Sequence, residues 1–405
     1  MTMEIRPILS ALMRNRAGAL LVSLQIAITL AIVVNAVFMV SQRIETVSRP
    51  TGIDENNMFS FWVSGFGKDF KFHNMVREDM ALLRRMPGVV AATPTMQTPL
   101  SGSGSSTRMY SQPNEKGKDA PVAYYEMDEQ ALATLGTKLA SGRGFDAESI
   151  EYREKPLPTP PKAAQVIVTK AFAEKLFPGE NALGKTIYDN NSQPETIIGV
   201  IEHMQGAWLG WANVDNVMLR PMVNEGPSTQ YIIRTEPGQL DRVMAEAEAA
   251  LKKSYPNRVV GKLHKVSDFK QQSYASDTLI VVILGTVTGL VVIFSALGIF
   301  GLATFNVNTR TRQIGTRRAV GARKLDIVRY FLIENWLVTS AGVVVGCVLA
   351  LLGGYWLSTR YEVDRLDLYY LVGGVAGLWL VGQLAAWQPS LRAAKVSPAM
   401  ATRTV

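Results

Sequence analysis

Four stretches of the chain, residues 17–40, 278–308, 335–359 and 368–391, run for more than twenty positions without one charged side chain. About 20 helical residues cross a hydrocarbon core of roughly 30 Å. In lipid every backbone polar group must be satisfied within its own segment, so helices are the expected form. The first stretch exceeds the apolar core of a secretory signal, and VSQRIE at 40–45 follows it in place of a small-residue cleavage site. It is therefore expected to be a retained span.

Between the first and second spans the pattern changes. Short runs rich in β-branched and aromatic residues predict strands at 58–63, 89–92, 122–125, 166–169, 196–201 and 230–234. Apolar positions at helical spacing predict amphipathic helices at 72–86 (Phe72, Met75, Val76, Met80, Leu83) and at 240–253. SGSGSS at 101–106, 112–118 and KPLPTPPK at 155–162 read as exposed loops. The predicted fold class is a membrane α-helical protein of four transmembrane helices. A large α+β extracytoplasmic domain, 41–277, lies between the first and second.

Charge sets the expected orientation. Segments 1–16, 309–334 and 392–405 together hold thirteen basic and three acidic residues, whereas 41–277 is nearly balanced. Basic connections stay on the cytoplasmic side. Both termini and 309–334 are thus expected inside, with 41–277 and the short 360–367 loop outside. A sequence pI near 9.4 then reports topology and does not point to nucleic acid. Ile5, Ile8, Leu9, Leu12 and Met13 alternate with Arg6, Arg14 and Arg16, predicting over 1–16 a short amphipathic helix that meets membrane lipids.

Candidate chemistry is sparse. The single cysteine, Cys347, falls inside the third span, so no intrachain disulfide is expected. His73, His203 and His264 stand far apart and in no metal-ligand spacing. Residues 179–186, GENALGKT, satisfy the phosphate-loop pattern. That loop needs a buried strand before it and a helix opening at its Lys-Ser/Thr. Here KAFAEKLF (170–177) precedes with helical pattern, and TIYDNNSQP (186–194) enters a strand and turn. The octet is expected to be a turn, so no cofactor is assigned to this chain.

The stretch 308–335, NTRTRQIGTRRAVGARKLDIVRYFLIEN, is more organised than a topogenic loop requires. Basic residues lead to a small turn at Ala319-Val320-Gly321-Ala322. Then Leu325, Ile327, Val328 and Phe331 follow at helical spacing into the third span. A short helix that stops and reverses in this way suits the cleft of a cytosolic partner. This stretch resembles the signature of FtsX-like ABC transporter permeases, roughly R-x-R-E-I-G-x-R-K/R-A-L/V-G-A followed by Ile, Phe-Leu and Glu. Arg312, Ile314, Gly315, Arg317, Arg318, Ala319, Gly321, Ala322, Phe331, Leu332 and Glu334 match, and Gln313 stands where the family usually has Glu. PSLRAAKVSPAM at 389–400 is similar to the family's closing pattern. LASGRGF (139–145), FAEKLFPGENALGKTI (172–187) and IGV (198–200) resemble the MacB-type periplasmic core domain.

The resemblance implies the permease subunit of a MacB-like transporter in a bacterial inner membrane, with 41–277 in the periplasm. ATP and magnesium would be held by a separate cytosolic ABC ATPase that binds 309–334 through Arg312–Arg323 (with Gln313 and Val320) and Glu334. It further implies a second permease copy or a sister permease, a periplasmic adaptor and an outer-membrane channel. The exported cargo is expected to be a hydrophobic antibiotic, peptide or lipopeptide. Lipoprotein release, as in LolC- and LolE-type permeases, and FtsX-like regulation of a cell-wall hydrolase are the alternatives. No nucleophile, base or metal cluster marks an enzyme. The family's mechanism is mechanotransmission, in which ATP-driven closure moves helices and reshapes the outer domain. Residues 42–48 and 269–277 extend the first and second spans outward as a stalk. Small residues at Gly285/Gly289, Gly342/Gly346/Ala350/Gly354 and Gly373/Gly377 predict close helix packing, within a subunit or at a dimer seam. Gln25, Thr29 and Asn35 are expected to bond between helices.

Overall fold

The computed structural model describes residues 16–67, 70–153, 164–255, 257–361 and 365–397. The amphipathic helix expected over 1–16 (Arg16 apart), the loop expected at 155–162 and the last residues of the closing pattern lie outside them. In chain order the helices are α1 (Arg16–Ser48), α2 (Phe72–Arg84), α3 (Ala131–Leu135), α4 (Lys170–Leu176) and α5 (Leu240–Ser254). They continue with α6 (Val266–Ser273), α7 (Ala275–Thr309), α8 (Thr311–Ala319), α9 (Lys324–Tyr361) and α10 (Leu368–Ala394). Two compact units result, one running up to Ser48 and resuming at Asp277, the other Arg49–Ser276.

Four of these helices, α1, α7, α9 and α10, are long and apolar enough to span a membrane. Helices α1, α9 and α10 share a core in which Ile26, Leu30 and Val34 meet Val338, Val343, Ala350, Leu371, Leu378 and Ala386. Backbone approach makes this possible. A Cβ on Gly342 would stand 2.6 Å from the Ser23 carbonyl oxygen, and one on Gly346 would stand 2.9 Å from the Leu30 Cβ. Gly354 faces the Asn35 amide. The stripe Gly342/Gly346/Ala350/Gly354 is thus packing within the chain.

Among the described residues nothing lies within 4 Å of the Cβ that Gly285, Gly289, Gly373 and Gly377 each lack, so of the two expected uses these four do not serve packing within the chain. On α10 the contacting row is Leu371, Gly374, Leu378, Gly382 and Ala386. Gly373 and Gly377 sit one residue away, about 100° round the helix. Asn35 donates to the Ala350 carbonyl (3.1 Å) and Gln25 to the Phe294 carbonyl (3.0 Å). Thr29 is buried.

The other unit holds two sheets. Their strands are β1 (Met58–Gly65), β2 (Val89–Thr95), β3 (Ser106–Gln112), β4 (Lys116–Met127), β5 (Leu139–Gly142), β6 (Glu151–Arg153) and β7 (Ala164–Thr169). They continue with β8 (Thr186–Tyr188), β9 (Pro194–Ile201), β10 (Val217–Asn224), β11 (Ser228–Thr235), β12 (Arg258–Val260) and β13 (His264–Lys265). One sheet, in order β12-β1-β11-β2 with β13 also on β1, is antiparallel; Met58 faces Arg234 and Ser64 faces Ser228. Of the apolar positions that predicted α2, Met75, Val76, Met80 and Leu83 are buried and Phe72, at its start, is half-buried. On the same helix Asp79 is buried, where burial pushes its carboxyl up while Arg258 and Tyr231 hold it down. It accepts two Arg258 bonds (2.7 and 2.8 Å) and one from the Tyr231 hydroxyl (2.9 Å).

In the second sheet the order β4-β3-β8-β9-β7-β10 returns on itself, because β10 also pairs with β4. Between β3 and β8 the ring is joined by the single pair Tyr110–Tyr188. Met109, Val122, Val166, Val168, Ile187, Ile197 and Met218 cluster with Phe172 and Leu176 of α4. Residues 112–118, expected as a loop, are the tip of the β3–β4 hairpin. Asn114 and Glu115 take φ of 58° and 55° there, the left-handed pair that matches strand twist.

Candidate functional site

The connection between α7 and α9 is built from caps. Helix α7 ends at Thr309, whose hydroxyl donates to the Phe305 carbonyl (3.0 Å); Arg310 turns the chain and α8 begins. After Ala319, Gly321 adopts φ +101°, a left-handed conformation that costs glycine nothing. Its N–H donates to the Arg318 carbonyl (3.2 Å), and the Ala322 N–H reaches the Arg317 carbonyl (3.1 Å). This double closure is a Schellman stop. The next helix starts at once: Asp326 accepts the Arg323 N–H (3.0 Å), so both caps fit within AVGARKLD.

One face of α8 is held. Ile314 and Gly315 are buried, and Ile314 packs with Val307, Ile327, Val328, Phe331, Ala393 and Ala394. Arg318 donates to the Ala394 carbonyl (2.5 Å), which ties α8 to the end of α10. The Arg317 guanidinium lies 4.7 Å from the Tyr330 ring centre. Arg312, Gln313, Ala319, Val320, Gly321 and Arg323 are exposed, as is Leu325. Val320 is 84% and Leu325 73% accessible, so two bare apolar side chains stand among arginines.

Glu334 is placed differently from the rest of the predicted set. It is 3% exposed and accepts from Arg310 (2.8 Å), with the Asn306 amide at 3.5 Å. Arg310 also reaches the Tyr330 hydroxyl at 3.4 Å. Glu334 therefore joins α7, the turn and α9 from within. Sequence reasoning missed Arg310, Asn306 and Tyr330, and it set Leu325 in one apolar run with Ile327, Val328 and Phe331, whereas the structure buries those three and exposes Leu325. The signal for Arg310 and Glu334 was an acid entering a span, which requires a cation close by.

The octet 179–186 is a turn. Gly179 (φ +72°) follows α4, Gly184 (φ +80°) turns the chain, and Thr186 starts β8, so no helix opens at Thr186. Lys185 pairs with Glu180 and covers the Phe177 ring at 4.5 Å. Among the described residues no group of three or more His, Cys, Asp or Glu is placed to hold a metal ion.

Residues 282–398 match the model of the FtsX-like permease C-terminal domain, and residues 19–250 match the MacB-like periplasmic core domain. The macrolide export ATP-binding/permease protein MacB of Neisseria gonorrhoeae is 24% identical over 404 residues, covering 96% of this chain and 58% of its own length. MacB of Vibrio parahaemolyticus is 24% identical over 407 residues, with the same two shares. The chain thus spans 58% of the length of these relatives. Among solved structures, the periplasmic region of MacB from Actinobacillus actinomycetemcomitans aligns with 56% of this chain and 97% of its own, at 17% identity and a TM-score of 0.35.

Proposed function

The chain belongs to the family of ABC transporter permeases that joins an FtsX-like C-terminal domain to a MacB-like periplasmic core domain, and from this we propose that it converts ATP turnover by an ABC ATPase into movement of its MacB-like domain. In this reading α8 and the turn at 320–323 are the handle that the ATPase holds. Val320 and Leu325 supply apolar anchors, and Arg312, Arg317 and Arg323 supply charge. The surrounding contacts would carry a displacement onward, because Arg310–Glu334 and Arg318–Ala394 leave α8 little freedom to slide alone.

The charge-free spans favour mechanical transmission over a path through the bilayer, since a polar route would expose ionisable groups. The proposed setting is a bacterial inner membrane, with the termini and 309–334 cytoplasmic and 49–276 periplasmic. A second permease copy, a periplasmic adaptor and an outer-membrane channel would complete the assembly. The proposed cargo is a hydrophobic antibiotic, peptide or lipopeptide, in keeping with relatives named for macrolide export. ATP and magnesium belong to the partner ATPase.

The observation that carries this reading is the doubly capped hairpin with its exposed tip. Gly321→Val tests it. A β-branched residue at φ +101° is strained by about 1–3 kcal/mol, enough to reduce ATPase recruitment and coupled turnover roughly five- to hundredfold. Membrane insertion should be unchanged, because among the described residues nothing lies within 4 Å of the missing Cβ. Unchanged recruitment and turnover in reconstituted complex would count against the handle.

A further inference from the structure

Helix α7 is attached to its unit unlike the other three. Its buried side chains are Ser295, Ile299, Asn306 and Val307, all in the C-terminal half; from Asp277 to Phe294 none is buried. Two polar contacts tie α7 to α1 at separate levels. At the far end Arg43 pairs with Asp277. Deep in the spans Gln25 donates to the Phe294 carbonyl (3.0 Å). The glycine one turn on, Gly298, makes room for it, since a Cβ there would collide with the Gln25 amide. A groove of about 390 Å³ runs beside this contact, lined by Leu24, Ile28, Ile32, Val291 and Phe294 among others, so the helices touch at Gln25 and stand apart alongside it. The C-terminal end of α7 is tied through Asn306 and Arg310 to Glu334 and passes directly into α8.

We propose that Gln25, seated on Gly298, is a positioning residue that fixes the fulcrum about which α7 swings against the frame of α1, α9 and α10. A glutamine among hydrocarbon is costly unless bonded, and a glycine weakens a helix; one contact accounts for both. Gly298 lies eleven residues from Thr309 and twenty-one from Asp277. At 1.5 Å per residue the arms are about 16 and 32 Å; once the partly exposed Arg43–Asp277 pair parts, the far end moves about twice as far as the end near α8, and in the opposite direction, the Arg310–Glu334 end carrying the smaller displacement. This inference rests on the proposed coupling to an ATPase.

The test uses the full chain in nanodiscs with its co-purifying ATPase, in a Cys347→Ser background diluted with unlabelled chain. Spin labels go at Phe305→Cys, Leu297→Cys or Val282→Cys on α7, each paired with Leu380→Cys on α10. On adding ATP and magnesium the distance at Leu297 should hold, while those at Phe305 and Val282 change with opposite sign, the larger change at Val282. Changes of one sign at all three positions would overturn the fulcrum. In Gln25→Leu, and in Gly298→Leu or, should that chain fail to assemble, Gly298→Ala, the change at Val282 should fall by more than half with ATP turnover retained. Without nucleotide the same variants should broaden the Val282–Leu380 distance distribution of the chain alone. Distributions as narrow as in the parent chain would overturn the fulcrum irrespective of the ATPase. A parent chain that is narrowly ordered and motionless during ATP turnover would instead overturn the coupling reading, and the swing with it.

Discussion

Glu334 shows what one buried acid contributes. Taken from water into the end of a helix bundle, a carboxylate is tolerable only with a cation bonded to it, and Arg310 supplies that cation at 2.8 Å. Removing one partner leaves the other charge buried and alone. Glu334→Ala should therefore destabilise the helical unit by about 3–5 kcal/mol, whereas the double variant Arg310→Met/Glu334→Leu should lie within a few kcal/mol of the parent. Thermal unfolding in nanodiscs measures both, and neutral single variants would show that the pair is not a structural tie. Asp79 and Arg258, each 1% exposed at the side chain, form the same arrangement in the α+β unit. Asp79→Ala should cost about 3–5 kcal/mol there, read as earlier protease cleavage between α2 and α5 on heating; an unchanged cleavage temperature would refute it. Neither pairing was legible in the sequence. Glu334 was recognisable as part of a signature, but which arginine answers it depends on the break at Arg310, and Asp79 and Arg258 are 179 residues apart.

Among elements, the hairpin from α8 into α9 was the most legible, because both caps are local. A glycine at the left-handed position and an aspartate three residues into the next helix announce themselves in eight residues. The spans were equally plain from their charge-free runs. Which face of each span packs was less so, because small residues at four-residue spacing mark a possible seam without saying what meets it. The structure separates the cases. Gly342→Leu and Gly346→Leu should force α1 from α9 and cost about 1–3 kcal/mol by overpacking. Gly285→Leu and Gly373→Leu should leave the stability of the single chain unchanged, since both open onto empty space. A comparison of the four variants by thermal unfolding in dilute nanodiscs checks this, and equal losses in all four would contradict it. Strand β10 escaped the sequence for a related reason. Pro221 within VMLRPMVN argues against a strand, yet β10 pairs with β4, β6 and β7.

For the whole molecule, the governing fact is an insertion: one α+β unit placed between the first and second of four apolar helices. Hydropathy and charge make that order readable without any knowledge of contacts. The closed ring of strands in the α+β unit was not readable, since the pairing of β4 with β10 joins residues about ninety positions apart. The proposed function depends most on the tip of the α8–α9 hairpin being held by a nucleotide-consuming partner. In-cell photo-crosslinking from Val320, with a matching probe at Glu115 on the β3–β4 tip, measures this directly. The account predicts that Val320 forms an adduct with an ATP-binding subunit, lost in Gly321→Val, while Glu115 does not. An adduct of Val320 with periplasmic proteins, or of Glu115 with the ATPase, would contradict it.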